Sequence, residues 1–252
     1  MSFRAILPGL LLAACSFSQT ASIGELKQRA EKGEASAEYE LGMSYNDGQG
    51  VPKDYGEALR WFRKAADQGY ADAQAAVGAI YNEGLGVPQD HAEAARWFRM
   101  AAGRGSAIAQ FNIGAMYFHG QGVPQDYAEA AQWFHKAADQ GYAAAQFALG
   151  LMYHNSRGVP QDYAEAAHLF RNAADQGHAD AQFTLGVMYN VGQGVPQDYV
   201  MAHMWINLAA SSATGDDQKN YSRERDTIAA RMTPQQIAEA QRLAREWKPK
   251  PH

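Results

Sequence analysis

The amino-acid sequence predicts an all-α protein: an α/α superhelical solenoid of about five 36-residue helix-turn-helix repeats with a helical C-terminal cap. The first observation is a strict period, because the dipeptide Val-Pro recurs every 36 residues. The second is that columns of glycine, tyrosine and tryptophan keep the same register. The third is that each repeat contains two helical patterns of apolar residues. The Val-Pro copies begin at Val51, Val87, Val123, Val159 and Val195. Because a single repeat leaves an apolar face uncovered, consecutive repeats must stack.

Residues 1–15 are predicted to be a signal peptide with a lipobox. Arg4 precedes a short apolar stretch, and residues 12–15 (Leu-Ala-Ala-Cys) resemble the bacterial motif in which the cysteine receives a diacylglycerol. The stretch is too short to span a bilayer. This interpretation predicts a lipid anchor at Cys15 and an outer-membrane lipoprotein that faces the periplasm. The alternative is an ordinary secretory signal, which would leave a soluble periplasmic or secreted protein.

Residues 16–32 are predicted to be a linker and an N-terminal capping helix. Ala30 lies in the same column as Ala66, and Gly33 lies in the same column as Gly69. The segment therefore matches the end of the second helix of a repeat.

The five repeats are predicted to occupy residues 33–212. In the second repeat, the first helix is expected to run from about residue 71 to 82, and the second helix to begin at Asp90 and to end at Gly105. Asp90 with Glu93 three residues later predicts a capping box, in which the two side chains each bind the other's backbone N–H.

A glycine recurs inside every first helix and is Gly78 in the second repeat. Glycine costs about 1 kcal/mol relative to alanine in a helix interior, so its recurrence needs a reason. We expect Gly78 to allow close packing against Ala101-Ala102 of the second helix. The tryptophan and methionine columns are expected to fill the core rather than to bind a ligand.

Residues 213–252 are predicted to be C-terminal capping helices. Residues 211–219 are interpreted as a polar loop that leads into a charged helix. Thr233 is a predicted N-cap, with Pro234 at the first helical position and Gln236 completing a capping box. The helix that follows has one apolar and one polar face, as a terminal repeat requires.

The repeat reads Ala-Gln-Phe-x-Leu-Gly-x-Met-Tyr-x-x-Gly-x-Gly-Val-Pro-x-Asp-Tyr-x-x-Ala, followed by Trp-Phe-x-x-Ala-Ala-x-x-Gly. It closely resembles the Sel-one-like repeat (SLR), a relative of the tetratricopeptide repeat, over about residues 22–212. The resemblance implies an exported bacterial scaffold or adaptor whose concave groove binds a protein or peptide. A cysteine-rich branch of this group has been linked to β-lactam binding and hydrolysis, but this chain lacks the repeat cysteines of that branch.

Composition and motifs favour a non-enzymatic protein without a cofactor. The net charge is −5 and there is no basic cluster, which argues against a nucleic-acid partner. The sequence contains no Gly-x-Ser-x-Gly, Ser-x-x-Lys or His-Glu-x-x-His motif, so it predicts neither a catalytic residue nor a metal site. His119 and His154 could meet across the stack and form a metal-binding or pH-sensitive site, although lone histidines are usually structural or solvated. Two alternatives stay open: an enzyme acting on cell-wall or β-lactam substrates, and a secreted effector acting in a host.

A ligand groove is predicted on one face of the first helices, because the columns there vary between repeats. If these helices line the concave side, as the resemblance implies, the groove is mildly apolar in the middle and polar at its ends. Such a groove suits an extended or helical peptide. The candidate groove residues are Asn112, Ala115, His119, Ala148, Leu151, Asn155 and Thr184. A solvent-exposed face without a ligand is the alternative.

Overall fold

The structure is a computed structural model that describes residues 22–250, and these residues form thirteen helices and no strands. The helices are α1 (Ile23–Glu31), α2 (Ala35–Asp47), α3 (Tyr55–Asp67), α4 (Ala71–Glu83), α5 (His91–Gly103), α6 (Ala107–His119), α7 (Tyr127–Asp139), α8 (Ala143–Asn155), α9 (Tyr163–Asp175), α10 (Ala179–Val191), α11 (Tyr199–Ser212), α12 (Gly215–Ala229) and α13 (Pro234–Glu246). Helices packed side by side are consecutive in sequence, except that α13 packs on α11. The predicted all-α solenoid is therefore confirmed. The predicted signal segment with Cys15 lies outside the described residues.

The second helix of each repeat begins at an aspartate N-cap, as predicted. The Asp90 carboxylate accepts a hydrogen bond from the Glu93 backbone N–H at 2.9 Å. The Glu93 carboxylate does not return this bond to the backbone of Asp90 and instead accepts from Arg96 and from Trp97 Nε1. The predicted capping box is therefore wrong in its second half, because a nearby guanidinium and an indole N–H compete for the glutamate.

Reciprocal capping boxes form at two helices near the ends of the chain. Ser22 and Glu25 form one at α1. Thr233 and Gln236 form the predicted one at α13, with Pro234 at the first helical position.

The glycine inside each first helix packs against a side chain of the following second helix. A Cβ atom on Gly78 would lie 2.9 Å from two ring carbons of Phe98, and its three nearest atoms would all belong to that ring. The prediction therefore named the wrong partner, since the phenylalanine ring fills the space beside Gly78 rather than Ala101-Ala102. We call this set of contacts the glycine seam. It joins Gly42, Gly78, Gly114, Gly150 and Gly186 to Phe62, Phe98, Phe134, Phe170 and Ile206.

A buried glutamine in the first helix links the ends of consecutive second helices. The Gln110 Nε2 donates to the Ala102 carbonyl at 3.3 Å, and its Oε1 accepts from Gln140 Nε2 at 2.7 Å. Gln146 accepts in the same way from Gln176. The bond to Ala102 adds a second donor to a carbonyl at the helix end, which also accepts from the Gly105 backbone N–H at 3.0 Å. We call the column Gln74, Gln110, Gln146 and Gln182 the glutamine ladder.

The C-terminal cap is more helical than the sequence predicts. The expected loop at residues 211–219 is wrong, because α11 runs to Ser212 and α12 begins at Gly215. Asp216 and Asp217 lie in the first turn of α12, where negative charge is favoured by the helix dipole. The sequence was therefore polar because the helix is exposed, not because it is a loop.

Candidate protein-binding face

The predicted groove lies on one face of α4, α6, α8 and α10, here called the first-helix face. It consists of Asp72, Ile108, Ala144 and Asp180 and of the residues four, seven and eleven positions after each of them. These positions recur on neighbouring turns and so follow one side of each helix.

Exposed apolar side chains distinguish this face. Ile108 is 40% exposed and Val191 is 57% exposed, and Met100 on a second helix is 48% exposed. They are the large hydrophobic side chains with high exposure among residues 22–250. On the same face, Ala115 and Leu151 are half-buried. The face therefore offers apolar surface that the repeat core does not cover.

The predicted polar contact residues differ in whether their side chains already make hydrogen bonds within the protein. Asn112 is half-buried, and its side-chain amide makes no hydrogen bond within residues 22–250. Asn155 donates to the Leu151 carbonyl at 2.8 Å, and the Thr184 hydroxyl donates to the Asp180 carbonyl at 2.7 Å. Asn112 is therefore the polar group most available to a partner.

Ala148 lies in the core rather than on the surface. It is 2% exposed and belongs to the apolar cluster around Phe134 and Leu149. Its small side chain lets the neighbouring helices cover it completely, so we exclude it from the face.

The two predicted histidines have separate surroundings. His119 is exposed at the end of α6, its ring lies edge-on to Phe118, and partial burial lowers its pKa. His154 lies beside Tyr163, with its Nε2 atom 3.2 Å from Gln193 Oε1. In the part of the chain that the structure describes, no three histidine, cysteine or acidic side chains cluster as metal ligands would.

Helix α12 covers one end of the first-helix face. The Tyr221 hydroxyl donates to the Asp180 carboxylate at 2.6 Å, and the Tyr221 ring stacks on Phe183 at 4.3 Å between centroids. Burial, and then the bond to this carboxylate, raise the pKa of Tyr221. Sequence reasoning missed this contact because it placed a loop where α12 begins.

Five consecutive segments of the chain match the Sel1 repeat, and together they cover well over half of its length. They are residues 35–70, 71–106, 107–142, 143–178 and 179–213. The chain belongs to the Sel1 repeat family. This finding confirms the resemblance drawn from the repeat motif.

Solved structures of Sel1 repeat proteins have the same fold. One is a protective antigen of uropathogenic Escherichia coli with an SLR fold: the TM-score is 0.77 at 36% identity, over 89% of this chain and 48% of that one. Another is a Sel1 repeat protein from Oxalobacter formigenes: the TM-score is 0.74 at 27% identity, over 91% of this chain and 96% of that one.

A curated relative is similar over a much shorter stretch. The secretory immunoglobulin A-binding protein EsiB of Escherichia coli is 48% identical over 44 residues, which is 18% of this chain and 9% of that protein. The chain thus matches under a tenth of EsiB and about half of the uropathogenic antigen.

The Sel1 repeat solenoid is commonly a protein-interaction scaffold and is typically non-enzymatic. Among residues 22–250, none of the helices has the length and apolar character needed to cross a membrane.

Proposed function

We propose that this protein is a non-enzymatic scaffold of the bacterial cell envelope that binds a polypeptide along the first-helix face. The observation that carries the proposal is the exposure of Ile108 and Val191 on that face, beside the free amide of Asn112. Apolar anchors with a few polar groups beside them suit an extended or helical peptide. The open part of the face extends over α4, α6, α8 and the last turn of α10, where Val191 lies, since α12 covers only the start of α10.

Photo-crosslinking tests this binding face. A photoreactive phenylalanine analogue at position 112 should capture a partner in cells, and the same analogue at Met100 serves as the control. Ile108→Arg should abolish capture from position 112, because a charge replaces an exposed apolar anchor. Met100→Arg makes the same kind of change on a second helix at similar exposure and should leave capture intact. Equal capture from both positions, or no effect of Ile108→Arg, would contradict the proposal.

We also propose that the chain is exported and anchored through a lipid on Cys15. The proposal is supported by the Leu-Ala-Ala-Cys motif at residues 12–15 and by the similarity to EsiB and the uropathogenic antigen. Radioactive palmitate should label the wild type and not Cys15→Ala. A single lipidated cysteine carries several acyl chains, which suffices for stable anchoring. An unlabelled wild type would leave the soluble periplasmic or secreted alternative.

Secretory immunoglobulin A is the first partner to test, because it is the partner in the name of EsiB. Purified protein without residues 1–21 should bind immobilised secretory immunoglobulin A, and Ile108→Arg should reduce that binding whereas Met100→Arg should not. The enzyme alternative has its own test: turnover of nitrocefin that persists through purification and is lost in a face variant would contradict the scaffold.

A further inference from the structure

A cation of a second helix lies over a tyrosine ring of the next first helix at most repeat boundaries. The cations recur every 36 residues, as do the tyrosines. The distances to the ring centroids are 5.9 Å for Lys27 over Tyr45, 5.5 Å for Arg63 over Tyr81, 5.9 Å for Arg99 over Tyr117 and 5.4 Å for Arg171 over Tyr189. Contacts within about 6 Å are attractive, because the ring face carries negative charge density.

Two of these arginines also bind the tyrosine hydroxyl. Arg99 Nη2 donates to the Tyr117 hydroxyl at 2.9 Å, and Arg63 donates to the Tyr81 hydroxyl. Each of these guanidinium groups therefore both covers the ring and pairs with its hydroxyl.

One boundary breaks the pattern. His135 takes the place of the arginine before Tyr153. Its ring points along its own helix, with Nδ1 3.0 Å from Asp139 Oδ2. Within residues 22–250, Tyr153 has no cation over its ring and no hydrogen bond to its hydroxyl.

A cleft of about 430 Å³ opens where the arginine is missing. Its walls include apolar side chains from α7, from α8 and from the loop that follows α8, with polar groups from α7. The residues that matter here are Ala131, Gln132, His135, Leu149, Tyr153 and Val159. At three other repeat boundaries, the space beside the equivalent tyrosine is filled by the end of an arginine side chain.

The charges around the cleft permit a guanidinium. Asp139 provides a carboxylate one turn from His135. Lys136 also lines the cleft, but its ammonium lies over the Trp133 ring at 4.1 Å. Arg63 occupies its own site beside Lys64, so a neighbouring lysine does not prevent occupancy.

We propose that the cleft at Tyr153 binds an arginine side chain of a partner polypeptide. The guanidinium covers the Tyr153 ring and donates to its hydroxyl, as Arg99 does at Tyr117. The aliphatic part of the arginine packs on Leu149 and Val159. The site is built by α7, α8 and the loop after α8, and none of its residues belongs to the first-helix face, so the proposal does not depend on that face.

Fluorine NMR of protein labelled with 3-fluorotyrosine tests the site. Tyr153→Phe assigns the Tyr153 resonance. The probe is a Gly-Arg-Gly peptide with blocked ends, and matched peptides contain lysine or citrulline. We expect the arginine peptide to shift the Tyr153 resonance saturably, with affinity on the order of tenfold higher than for citrulline, because citrulline has no charge.

The variant His135→Arg provides a structurally matched block, since three other boundaries carry arginine at this position. It should shift the Tyr153 resonance in the free protein, abolish the response to the peptide and leave the melting temperature no lower than that of the wild type. In the converse variant Arg99→His, a second responsive tyrosine should appear at Tyr117.

Three outcomes would overturn the proposal. One is an unchanged response in His135→Arg, and another is an equal response to the citrulline peptide. The third is a stronger response to free arginine than to the blocked peptide, because it would indicate a metabolite site rather than a polypeptide contact.

Discussion

The glycine seam and the glutamine ladder both join first helices to second helices, but they vary differently along the chain. All five repeats keep the glycine of the seam, and its partner is phenylalanine in four and Ile206 in the fifth. The ladder position itself is Glu38 in the first repeat. In the second repeat, the position that should donate to Gln74 holds Arg104 rather than a glutamine. A position without room for a methyl group accepts only glycine, whereas the loss of one hydrogen bond lowers stability only moderately.

The largest expected effect tests the seam. In Gly114→Ala, the added Cβ would lie 2.9 Å from two Phe134 ring carbons and 3.3 Å from the Ala130 carbonyl oxygen. We expect a net loss of about 2 kcal/mol in the free energy of unfolding, since overpacking outweighs the gain in helix propensity. Urea denaturation followed by circular dichroism measures it.

Gly103→Ala is the matched control, because a Cβ at this helical glycine meets nothing within 4 Å. It should stabilise the protein by about 0.5–1 kcal/mol. Equal effects of the two substitutions would show that the seam does not restrict residue size.

The next effect tests the ladder. Gln146→Met keeps the size of the side chain but leaves the Ala138 carbonyl and the Gln176 amide without their bonds, which are 3.3 and 2.8 Å long. We expect a loss of about 1.5 kcal/mol, because two hydrogen bonds are lost and the Gln176 amide is left unpaired, although the Ala138 carbonyl keeps its 2.9 Å bond from the Gly141 backbone N–H. The exposed Gln121→Met should change stability by less than about 0.5 kcal/mol. A loss no larger than that control would mean that the ladder is not stabilising.

Restoring the ladder in the first repeat should stabilise the fold. Glu38 is 3% exposed, and burial raises its pKa above the ordinary value of 4.5. In Glu38→Gln, the new amide can donate to the Ala30 carbonyl, as Gln74 does to Ala66. We expect a gain of about 1 kcal/mol at pH 7, because the ionised carboxylate carries a charge that burial disfavours and has no proton to donate to this carbonyl, whereas the amide is neutral and can donate.

The same substitution has a definite pH dependence. Because the pKa is raised on folding, the folded state holds the Glu38 proton more tightly, and this stabilisation is lost as the pH rises through the raised pKa. Unfolding free energies measured from pH 3 to 8 should therefore show the variant's advantage growing with pH and vanishing below about pH 4. If the difference in unfolding free energy between Glu38→Gln and the wild type did not change with pH, ionisation of Glu38 could not be its cause.

The smallest effect concerns the second repeat. The Gln74 Oε1 atom is buried without a hydrogen-bond partner among residues 22–250, because Arg104 stands where Gln140 and Gln176 stand in later repeats. Arg104→Gln should add the missing bond and stabilise the protein by about 0.5 kcal/mol. Arg104→Ala, which offers no donor, should not stabilise it, and a melting temperature raised equally by both would refute the explanation.

The sequence was sufficient for the fold because every repeat shows the same spacing. The Val-Pro copies and the N-cap aspartates predicted the number, length and order of the helices within the five repeats. The spacing did not predict which side chains meet in the core. Gly78 was assigned to Ala101-Ala102, and this was wrong because the direction of a side chain depends on how the two helices cross. The glutamine column was visible, but nothing in the sequence indicated which carbonyl groups it binds.

The candidate binding face was only partly predictable. Its position followed from helical spacing, and Ile108 and Asn112 lie where the pattern placed them. Ala148 was placed on the face although it is buried, because whether a small residue is covered depends on the side chains of neighbouring helices. The cover over Asp180 was missed, because the polar residues 215–219, where α12 begins, were interpreted as a loop and only the chain after them as a charged helix.

The loops have a consequence for how chains of this kind grow. Gly122 has φ 68°, and a Cβ there would lie 2.1 Å from the His91 carbonyl oxygen, so each loop rests on the start of the second helix one repeat earlier. A block of 36 residues therefore carries both of the surfaces that its neighbours need. Duplication or deletion of whole blocks preserves the contacts between neighbouring repeats. Insertion of one or two residues into a loop moves the loop glycine away from the helix start on which it packs. The chain is thus free to lengthen in steps of one block.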